Sequence, residues 1–449
     1  MGELVLPSTG IVLIIGPSNS GKTTFLRKLI NQGVIKKSQV ISSDDFRDLV
    51  GDSEFIEWED RPGDEGVALL YEYELISQKA FEMIEQLLEI RCKLGKLTFV
   101  DATHLDENHR KNYLDMGRKY HVPVIALVLK VSKELLLERD GLRENPRGHK
   151  RVKEQYHWFK KSLSTIKDEG FYAYYILTPE EMGEWVVVVQ KNPMEREVGK
   201  GLDFIGDVHA CYEELMELVQ LLGYTRSPDG LYRHPHGRKI VSLGDVMSRG
   251  PHSMDSLLFF KKHVNAGLAY MVDSNHGWKI ARWLDGRKVM LMHGDEKVEE
   301  ELNQYAKDHG NKETNKLKDE LRDFLIQLPS HLIFLQNGVR VVVATHGGIK
   351  DHYIGKESKR IRDFCRYGDT DGFDEEGRPI RKDWFNHHQS PEIIVWGHDP
   401  KPDAVMINNT INIDQGVVFG GKLTAFRYPE KEIISVPAKQ KYAKGRFED

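Results

Sequence analysis

A glycine-rich turn near the start of the chain is the feature that most restricts how this sequence can fold. Residues 16–23, GPSNSGKT, fit the pattern G-x-x-x-x-G-K-[ST]. The apolar run at residues 10–15 predicts a buried strand before the turn, and residues 24–30 carry apolar side chains at helical spacing after it. Because this pattern forms a phosphate-binding loop between a strand and a helix, the sequence predicts an α/β domain built on a parallel sheet.

Strand and helix patterns alternate along the rest of the chain. Further strand-like runs in the first part lie at residues 39–42, 97–100, 124–130 and 172–177. Residues 75–94 are amphipathic with helical spacing. The polar, proline-containing stretch QKNPMEREVGK at residues 190–200 precedes a new series of strands and predicts a domain boundary. We therefore expect one α/β domain over residues 1–190 and a second over residues 200–438.

Composition excludes several classes of protein. The 449 residues are 40% hydrophobic and 30% charged, with a formal net charge of −5. The three cysteines, Cys92, Cys211 and Cys365, are too far apart in sequence to predict a disulfide framework or a thiolate metal site. No apolar run approaches the roughly 20 residues of a membrane helix, and the first residues lack a signal-peptide pattern. We expect a cytoplasmic enzyme that contacts no membrane, in which any contact with nucleic acid comes from a local basic patch.

The glycine-rich turn predicts a binding site for ATP and Mg²⁺. Backbone N–H groups of small residues wrap phosphate oxygens at the N-terminus of a helix. Lys22 adds a positive charge for the β- and γ-phosphates, and the Thr23 hydroxyl can ligate the magnesium ion. Asp101 ends the strand at residues 97–100, where a carboxylate can support the magnesium shell. The full set of expected nucleotide-binding residues is Gly16, Ser18, Ser20, Gly21, Lys22, Thr23, Thr24 and Asp101.

Charged residues farther along indicate what this loop does with a triphosphate. Asp44 follows the strand at residues 39–42, so we expect it near the γ-phosphate, where it could accept a proton from an attacking hydroxyl. Arg47, one helical turn later, could hold an anionic acceptor, and the alternative is a helix cap with a solvated arginine. A basic helical stretch follows, which either closes over a transferring phosphoryl group or is an ordinary basic surface helix. It contains Arg139, Arg143, Arg147, Lys150, Arg151 and Lys153.

These segments together resemble a known family. The series GPSNSGKTT, VISSDDFR, FVDATH and LERDGLR is similar to the 5′-hydroxyl polynucleotide kinase domain of the bacterial polynucleotide kinase-phosphatases of RNA repair. The resemblance covers about residues 8–178 and implies that Asp44 is the general base and that Arg47 engages the acceptor end. The lid residues that it implies are Arg139 and Arg143. The acidic and aromatic segment at residues 54–73 is longer than the family pattern and leaves the acceptor site undefined.

The second half repeats one construction, an apolar strand followed by metal-binding side chains. The segments are DFIGDVH, IVSLGD, YMVDSNH, VVVATHGG and IIVWGH. Because strand ends place side chains at one edge of a sheet, we expect these residues to converge although they are far apart in sequence. Mixed oxygen and imidazole ligands suit a pair of divalent ions such as Mn²⁺, Fe²⁺, Ni²⁺ or Zn²⁺. The candidate ligands are Asp207, His209, Asp245, Asn275, His346 and His398.

This ligand set resembles that of the calcineurin-like binuclear metallophosphoesterases, which implies an α/β sandwich fold. By that resemblance, the first three ligands hold one metal, and Asp245 bridges to a second metal held by the last three. We expect both ions to be Mn²⁺. The resemblance also implies that Arg249 clamps the substrate phosphate and that His276 protonates the leaving oxygen.

Two motifs depart from the family pattern. The usual GDxxDRG reads GDVMSRG, with Ser248 in place of an aspartate, and GNHD reads SNHG, with Ser274 and Gly277. We expect the loss of the aspartate to remove a partner that orients His276, so that metal binding persists while general-acid assistance weakens or substrate choice changes. The charged run at residues 295–322 has mixed signs and helical spacing, and we interpret it as a solvated helix without a role.

The two resemblances together imply an end-healing enzyme. The segment LMHGDEKVEEEL and the tail NIDQGVVFGGKLTAFRYPE, with Asp414 and Arg427, are similar to the phosphatase domain of the same repair enzymes. The implied activities are ATP-dependent phosphorylation of 5′-hydroxyl ends and removal of 3′-phosphate or 2′,3′-cyclic phosphate. The expected partners are RNA or DNA ends, with RNA favoured. Because the sequence has no K-x-D-G nucleophile motif, we expect a separate ligase to seal the ends.

Two alternatives stay open on the sequence alone. One is a small-molecule P-loop kinase fused to a hydrolase of dinucleoside polyphosphates or phosphoproteins. The other is a module that binds nucleotide and metal without turnover, which Ser248 and Gly277 make more credible. No sequence feature indicates an oligomeric state.

Overall fold

The computed structural model describes residues 2–51, 63–143, 146–375 and 379–444. The chain divides into two compact units, Met1–Pro193 and Met194–Asp449. The division falls inside the polar stretch at residues 190–200, because the strand Glu195–Glu197 pairs with strands of the second unit. Among the described residues, no helix combines the length and the apolar character that crossing a bilayer requires.

The first unit is an α/β domain with a parallel sheet. Its strands are β1 (Glu3–Leu6), β2 (Gly10–Ile15), β3 (Val40–Ser42), β4 (Leu97–Asp101), β5 (Val124–Leu129), β6 (Ala173–Leu177) and β7 (Val186–Val189). Its helices are α1 (Lys22–Asn31), α2 (Ser43–Gly51), α3 (Asp64–Lys93), α4 (Glu107–Tyr120), α5 (Lys133–Gly141), α6 (His149–Thr165) and α7 (Pro179–Glu184). The main sheet has the order β3-β4-β2-β5-β6, while β1 and β7 form a separate parallel pair.

This sheet forms because its central strands are apolar on both faces. Every residue of β2 (GIVLII) and β5 (VIALVL) is buried, as expected for parallel strands that helices cover on both sides. Ile84 and Leu88 of α3 pack on one face, and Phe25 and Leu29 of α1 pack on the other. The predicted parallel α/β fold is confirmed, and the four later predicted strands appear as β3 to β6 with ends shifted by one residue.

The second unit is a sandwich of two mixed sheets with helices outside. Its strands are β8 (Glu195–Glu197), β9 (Leu202–Ile205), β10 (Thr225–Arg226), β11 (Tyr232–Arg233), β12 (Lys239–Ser242), β13 (Ala269–Met271), β14 (His331–Gln336), β15 (Val339–Thr345), β16 (Asp369–Phe373), β17 (Pro379–Lys382), β18 (Ile393–Trp396), β19 (Met406–Ile407), β20 (Thr410–Asn412), β21 (Asp414–Gln415), β22 (Lys422–Tyr428) and β23 (Glu432–Pro437). Its helices are α8 (Tyr212–Leu221), α9 (Ser253–Asn265), α10 (Asn275–Leu284), α11 (Glu296–His309), α12 (Asn311–Ile326) and α13 (Lys359–Tyr367).

The two sheets pack face to face through apolar side chains. One sheet has the order β13-β12-β9-β22-β21, with β23 beside β22, and the other has the order β19-β20-β18-β15-β14-β8. Phe204 of β9 and Phe426 of β22 meet Phe334 of β14 in one buried cluster. The rings of Phe204 and Phe334 lie edge to face, with centroids 5.5 Å apart. This packing aligns the strand ends that carry the predicted metal ligands.

The charged run at residues 295–322 is not one solvated helix, as the sequence had suggested. It forms α11 and part of α12, which are separated at Gly310. Both helices bury apolar side chains in the core, among them Leu302 and Leu321. Asp295, at the start of the run, is completely buried. The prediction was wrong because mixed charge on the outer face hid an apolar face.

Candidate functional sites

The glycine-rich turn of the first unit lines a cavity of about 740 Å³. The turn joins the end of β2 to the start of α1, as predicted. No side chain caps the N-terminus of α1, and the residues of its first turn line the cavity. The expected nucleotide-binding residues that line it are Ser18, Ser20, Gly21, Lys22, Thr23, Thr24 and Asp101. Gly16 is not among the lining residues, and its carbonyl accepts a hydrogen bond from Lys22 Nζ at 3.0 Å.

Lys22 and the Thr23–Asp101 pair have the chemistry that a magnesium-bound triphosphate requires. Lys22 Nζ donates to the carbonyls of Gly16 and Pro17, and its desolvation lowers the pKa of Lys22 to about 8 against the attraction of Asp101 and Asp44. The Thr23 hydroxyl donates to Asp101 Oδ2 at 2.8 Å. Burial raises the pKa of Asp101. A hydroxyl beside a buried carboxylate fits Mg²⁺, which prefers oxygen ligands.

Asp44 and Arg47 lie at the same cavity and form an ion pair at 2.6 Å. The Asp44 side chain remains 63% exposed. Arg47 is held by α3, because its Nε donates to Ser77 Oγ at 2.9 Å and its guanidinium lies over the rings of Tyr73 and Phe81. Sequence reasoning missed these three α3 residues, although their spacing of four places them on one helix face. The part of the unusual acidic segment at residues 54–62 lies outside the described residues.

The basic stretch is divided between two helices. Arg139 lies on α5 and donates to Asn19 O at 3.1 Å, and Arg143, after α5, donates to Asn19 Oδ1 at 2.9 Å. Arg147 and Arg151 also line the cavity. Four of the six basic residues therefore surround the glycine-rich turn. The lining does not include Lys150 and Lys153.

In the second unit, the loops after five strands gather the predicted metal ligands. His346, in the loop after β15, lies at the centre of one group. Its Nε2 is 2.7 Å from Asn275 Oδ1, 3.1 Å from His398 Nδ1 and 3.4 Å from Asp245 Oδ2. Ligand atoms about 2.1 Å from one octahedral ion lie about 3 Å apart, so these four atoms fit one divalent cation.

The hydrogen bond made by His346 Nδ1 supports this interpretation. Its Nδ1–H donates to the carbonyl of Leu243 at 2.9 Å, which leaves Nε2 free to bind a metal. Burial acts to lower the pKa of His346, but Asp245 and Asp207 raise it to about 9. The pocket therefore favours a positive charge at this point.

A second group adjoins the first through Asp245. His209 Nε2 lies 3.8 Å from Asp245 Oδ2 and 4.0 Å from Asp207 Oδ2. Burial, followed by repulsion from Asp414, raises the pKa of Asp207 well above its usual range. Buried carboxylates close to one another fit a cation, because each alone is costly to desolvate. Two adjoining groups of possible metal ligands thus share Asp245 among the described residues. One adds His346 and His398, with Asn275 beside them, and the other adds His209 and His276, with Asp207 4.0 Å from His209.

Comparison with known proteins agrees with this geometry. Residues 200–430, slightly more than half of the chain, match the family model of the calcineurin-like phosphoesterases. The chain belongs to this family. Residues 11–165 match a model described as an AAA domain, and this range includes the glycine-rich turn, Asp44, Arg139 and Arg143. The protein thus joins a P-loop domain to a calcineurin-like phosphoesterase domain. Calcineurin-like phosphoesterases use divalent metal ions.

Curated relatives of this phosphoesterase share almost their whole length with the second unit. The bis(5′-nucleosyl)-tetraphosphatase PrpE [asymmetrical] of Oceanobacillus iheyensis is 42% identical over 249 residues, which cover 55% of this chain and 96% of the relative. The protein of the same name from Bacillus subtilis is 39% identical over 246 residues, with 55% and 98% coverage. The protein of that name from Halalkalibacterium halodurans is 39% identical, with 55% and 97% coverage.

Arg249 and His276 of the phosphoesterase unit lie beside the metal-ligand groups. Arg249 Nη2 is 3.3 Å from His276 Nε2, and the backbone N–H of His276 donates to Asp245 Oδ1 at 3.2 Å. The expectation that His276 lacks a carboxylate partner is wrong. His276 Nδ1 lies 2.5 Å from Asp295 Oδ1, which also accepts a hydrogen bond from the Ser248 hydroxyl at 2.7 Å.

The second departure from the family pattern has a structural role. Ser274 caps α10, because its hydroxyl accepts a hydrogen bond from the backbone N–H of Gly277 at 3.2 Å. The same hydroxyl accepts from the backbone N–H of Asp245 at 3.0 Å. Ser274 therefore ties the shared ligand to the helix that begins with Asn275 and His276.

Arg381 is a further charged residue of the phosphoesterase unit that sequence reasoning missed. It lies on β17, in the hairpin with β16, and its Nη2 is 3.0 Å from His398 Nε2. Its Nε lies 3.4 Å from Asp399 Oδ1. The hairpin thus brings a second guanidinium to the ligand groups, from a part of the chain far from Arg249 in sequence.

Proposed function

We propose that this protein is a bifunctional nucleotide-handling enzyme. Its phosphoesterase domain hydrolyses bis(5′-nucleosyl) tetraphosphates, and its P-loop domain transfers the γ-phosphate of ATP to a hydroxyl acceptor. The observation that carries the proposal is the pair of ligand groups sharing Asp245, in a unit 42% identical to a protein named bis(5′-nucleosyl)-tetraphosphatase. This interpretation follows the small-molecule alternative left open by the sequence.

Different residues of the phosphoesterase domain bind the phosphate and protonate the leaving oxygen during hydrolysis. The two ligand groups would hold a pair of divalent ions, which we expect to be Mn²⁺; such ions would supply an activated water and offset charge on the phosphate. Arg249 binds the phosphate, and its buried Nε has no hydrogen-bond partner among the described residues, as expected of a group awaiting an anion. Its guanidinium is steadied by the ring of Phe419, 5.2 Å away. His276 Nε2, adjacent to Arg249, holds the proton for the leaving oxygen.

The P-loop residues provide the parts of a phosphoryl-transfer site. Lys22 binds the β- and γ-phosphates, and Thr23 with Asp101 holds the magnesium ion. Asp44 accepts the proton of the acceptor hydroxyl, while Arg47 holds an anionic group on that acceptor. Charge that develops on the transferring phosphoryl group is met by Arg139 and Arg143. These assignments rest on the shared cavity and on the ion pair between Asp44 and Arg47.

Polynucleotide end-healing is the second candidate function, and the surface of α6 favours it. Trp158 on this helix is 52% exposed, and Lys161 Nζ lies 5.4 Å from its ring centroid. Exposed aromatic rings among lysines suit single-stranded nucleic acid, because bases stack on the rings while lysines contact phosphates. Under this candidate the acceptor is a 5′-hydroxyl RNA or DNA end, the phosphatase clears 3′-phosphates or 2′,3′-cyclic phosphates, and a separate ligase seals the ends.

Two assays with purified full-length protein test these candidates. In the first, diadenosine tetraphosphate is incubated with protein and Mn²⁺, and asymmetrical hydrolysis yields AMP and ATP. Asp245→Asn should abolish this reaction, whereas Asp255→Asn, at an exposed site on α9, should not. Absence of hydrolysis by the wild-type protein with Mn²⁺, Fe²⁺, Ni²⁺ or Zn²⁺ would contradict the proposal for this domain.

The second assay follows transfer of labelled phosphate from ATP. Matched 5′-hydroxyl RNA and DNA strands, with and without a 3′-phosphate, are compared with nucleosides as acceptors. Lys22→Ala and Asp44→Ala should abolish transfer, and Asp45→Ala, at the exposed neighbouring position, should not. Label on oligonucleotides but not on nucleosides would favour end-healing over the small-molecule candidate.

A further inference from the structure

We propose that Asp295 is the positioning residue for His276 and replaces the aspartate that Ser248 displaces from the family motif. This inference rests on the proposed phosphoesterase function, in which His276 Nε2 faces the leaving oxygen. Asp295 comes from a different part of the chain than the motif, at the start of α11. The carboxylate beside the His276 imidazole therefore comes from a different position in the sequence than the aspartate of the family motif.

The local geometry shows that the Asp295 carboxylate is directed at the site and not at its own helix. Aspartate at the position before a helix usually accepts a hydrogen bond from the first turn. Asp295 occupies that position before α11 but makes no capping hydrogen bond. Its Oδ1 instead lies 2.5 Å from His276 Nδ1 and 2.7 Å from Ser248 Oγ.

The backbone is arranged to bring Asp295 to this position. Gly294 has a φ of +88°, and a Cβ there would lie 2.4 Å from the Cα of Arg249. The carbonyl of Gly294 accepts a hydrogen bond from the backbone N–H of Arg249 at 3.2 Å. Since only glycine allows this approach, the loop before α11 is fastened to the turn that carries both Ser248 and Arg249.

The surroundings of Asp295 fit an ionised carboxylate. The side chain is fully buried, and its second oxygen, Oδ2, forms an ion pair with Lys279 Nζ at 2.6 Å. Lys279 lies on α10, one helical turn after His276, so two of the three side-chain partners of Asp295 come from the same helix. Buried carboxylates are stable when paired and hydrogen-bonded in this way.

This contact selects one form of the imidazole. An ionised carboxylate only accepts hydrogen bonds, so Asp295 fixes a proton on Nδ1 of His276. Nε2 then faces Arg249 and the ligand groups in a set orientation. Ser248, being small and a donor, fills the space left by the displaced aspartate and adds a hydrogen bond to Asp295. A single Ser248→Asp substitution would place two carboxylates against each other.

The test asks whether an aspartate at position 248, where the family motif has it, can replace Asp295. Three variants of the full-length protein are compared: Asp295→Asn, the exchange Ser248→Asp/Asp295→Ser, and the control Asp308→Asn on the exposed face of α11. The first readout is the low-field proton resonance of the His276 Nδ1–H in metal-free protein, assigned by its loss in His276→Gln. The second readout, with Mn²⁺, is kcat for phenyl phosphate and p-nitrophenyl phosphate, whose leaving groups differ in their need for a proton.

We expect Asp295→Asn to lose the resonance and to lower kcat for phenyl phosphate about 10- to 100-fold, with a smaller effect on p-nitrophenyl phosphate. The exchange variant should regain the resonance and much of the phenyl phosphate activity, and Asp308→Asn should resemble the wild type. A resonance that persists in Asp295→Asn, or an exchange variant no better than Asp295→Asn, would overturn the proposal. If wild-type protein hydrolyses no substrate, the proposed function fails, and the resonance alone still decides the role of Asp295.

Discussion

The backbone N–H of His398 donates to both carboxylate oxygens of Asp207, at 3.3 and 3.2 Å, across 191 positions of sequence. The contact joins the loop after β9 to the loop after β18, which belong to different sheets. It depends on Gly397, because a Cβ at that position would lie 2.2 Å from Asp207 Oδ1. Asp207 is a proposed ligand of one metal and His398 of the other, so this hydrogen bond between the sheets holds the two ligand groups together.

Substitution of Gly397 tests how strongly this contact determines metal binding. Gly397→Ala should displace the Asp207 carboxylate and lower the number of bound Mn²⁺ ions, measured by elemental analysis after dialysis. The overpacking should also lower the free energy of unfolding by about 1–3 kcal/mol. Gly183→Ala is the control, since a Cβ there meets no atom within 4 Å. Unchanged metal content in Gly397→Ala would show that Asp207 does not need its present position.

Most of the fold and the ligand groups could be predicted because their signals are local. The strand, glycine turn and helix at residues 10–30 carry their own patterns, and parallel strands bring polar residues at their ends together whatever the intervening sequence. The contacts of His276 with Asp295 and of His398 with Arg381 had no such signal. Both are made by segments whose approach depends on tertiary packing, a loop fastened through Gly294 in one case and the β16–β17 hairpin in the other.

Nucleotide binding should depend on pH through Lys22. Because the pKa of Lys22 is lowered to about 8, the free protein loses this positive charge as pH rises through that value. The affinity for ATP should therefore be highest below about pH 8 and fall above it, with proton uptake on binding in that range. Titration calorimetry in buffers of different ionisation enthalpy measures both effects. Lys22→Arg keeps its charge and should show no fall in affinity over the same range.

Asp245 should be required for both metals, because both ligand groups include it. Asp245→Asn keeps the shape of the side chain but removes the charge shared between the groups. We expect metal content to fall from about two ions per chain to less than one. His398→Ala should lose only the ion held with His346 and Asn275, so its content should stay near one. Equal losses in the two variants would contradict separate sites joined by Asp245.

A buried ion pair should contribute to the stability of the first unit. Arg110 and Glu169 have side chains 0% and 5% exposed, and Arg110 Nη1 also donates to His104 O at 2.8 Å. Glu169→Ala leaves the guanidinium buried without its counter-charge, so the free energy of unfolding should fall by about 3–5 kcal/mol in urea titrations. Asp115→Ala, which breaks an exposed pair with Arg118, should cost less than about 1 kcal/mol.

Arg381 should bind substrate phosphate in addition to Arg249. Its Nη2 lies 3.0 Å from His398 Nε2, so the guanidinium adjoins the group of ligands that includes His398. Arg381→Ala removes a charge-assisted hydrogen bond of about 1.5–3 kcal/mol, and KM for diadenosine tetraphosphate should rise about tenfold or more. Because Arg381 is not a metal ligand, kcat and metal content should change much less. Lys382→Ala, whose side chain is half exposed and pairs with Asp371 on the same hairpin, is the matched control. A fall in kcat at unchanged KM would instead indicate that Arg381 acts by orienting His398.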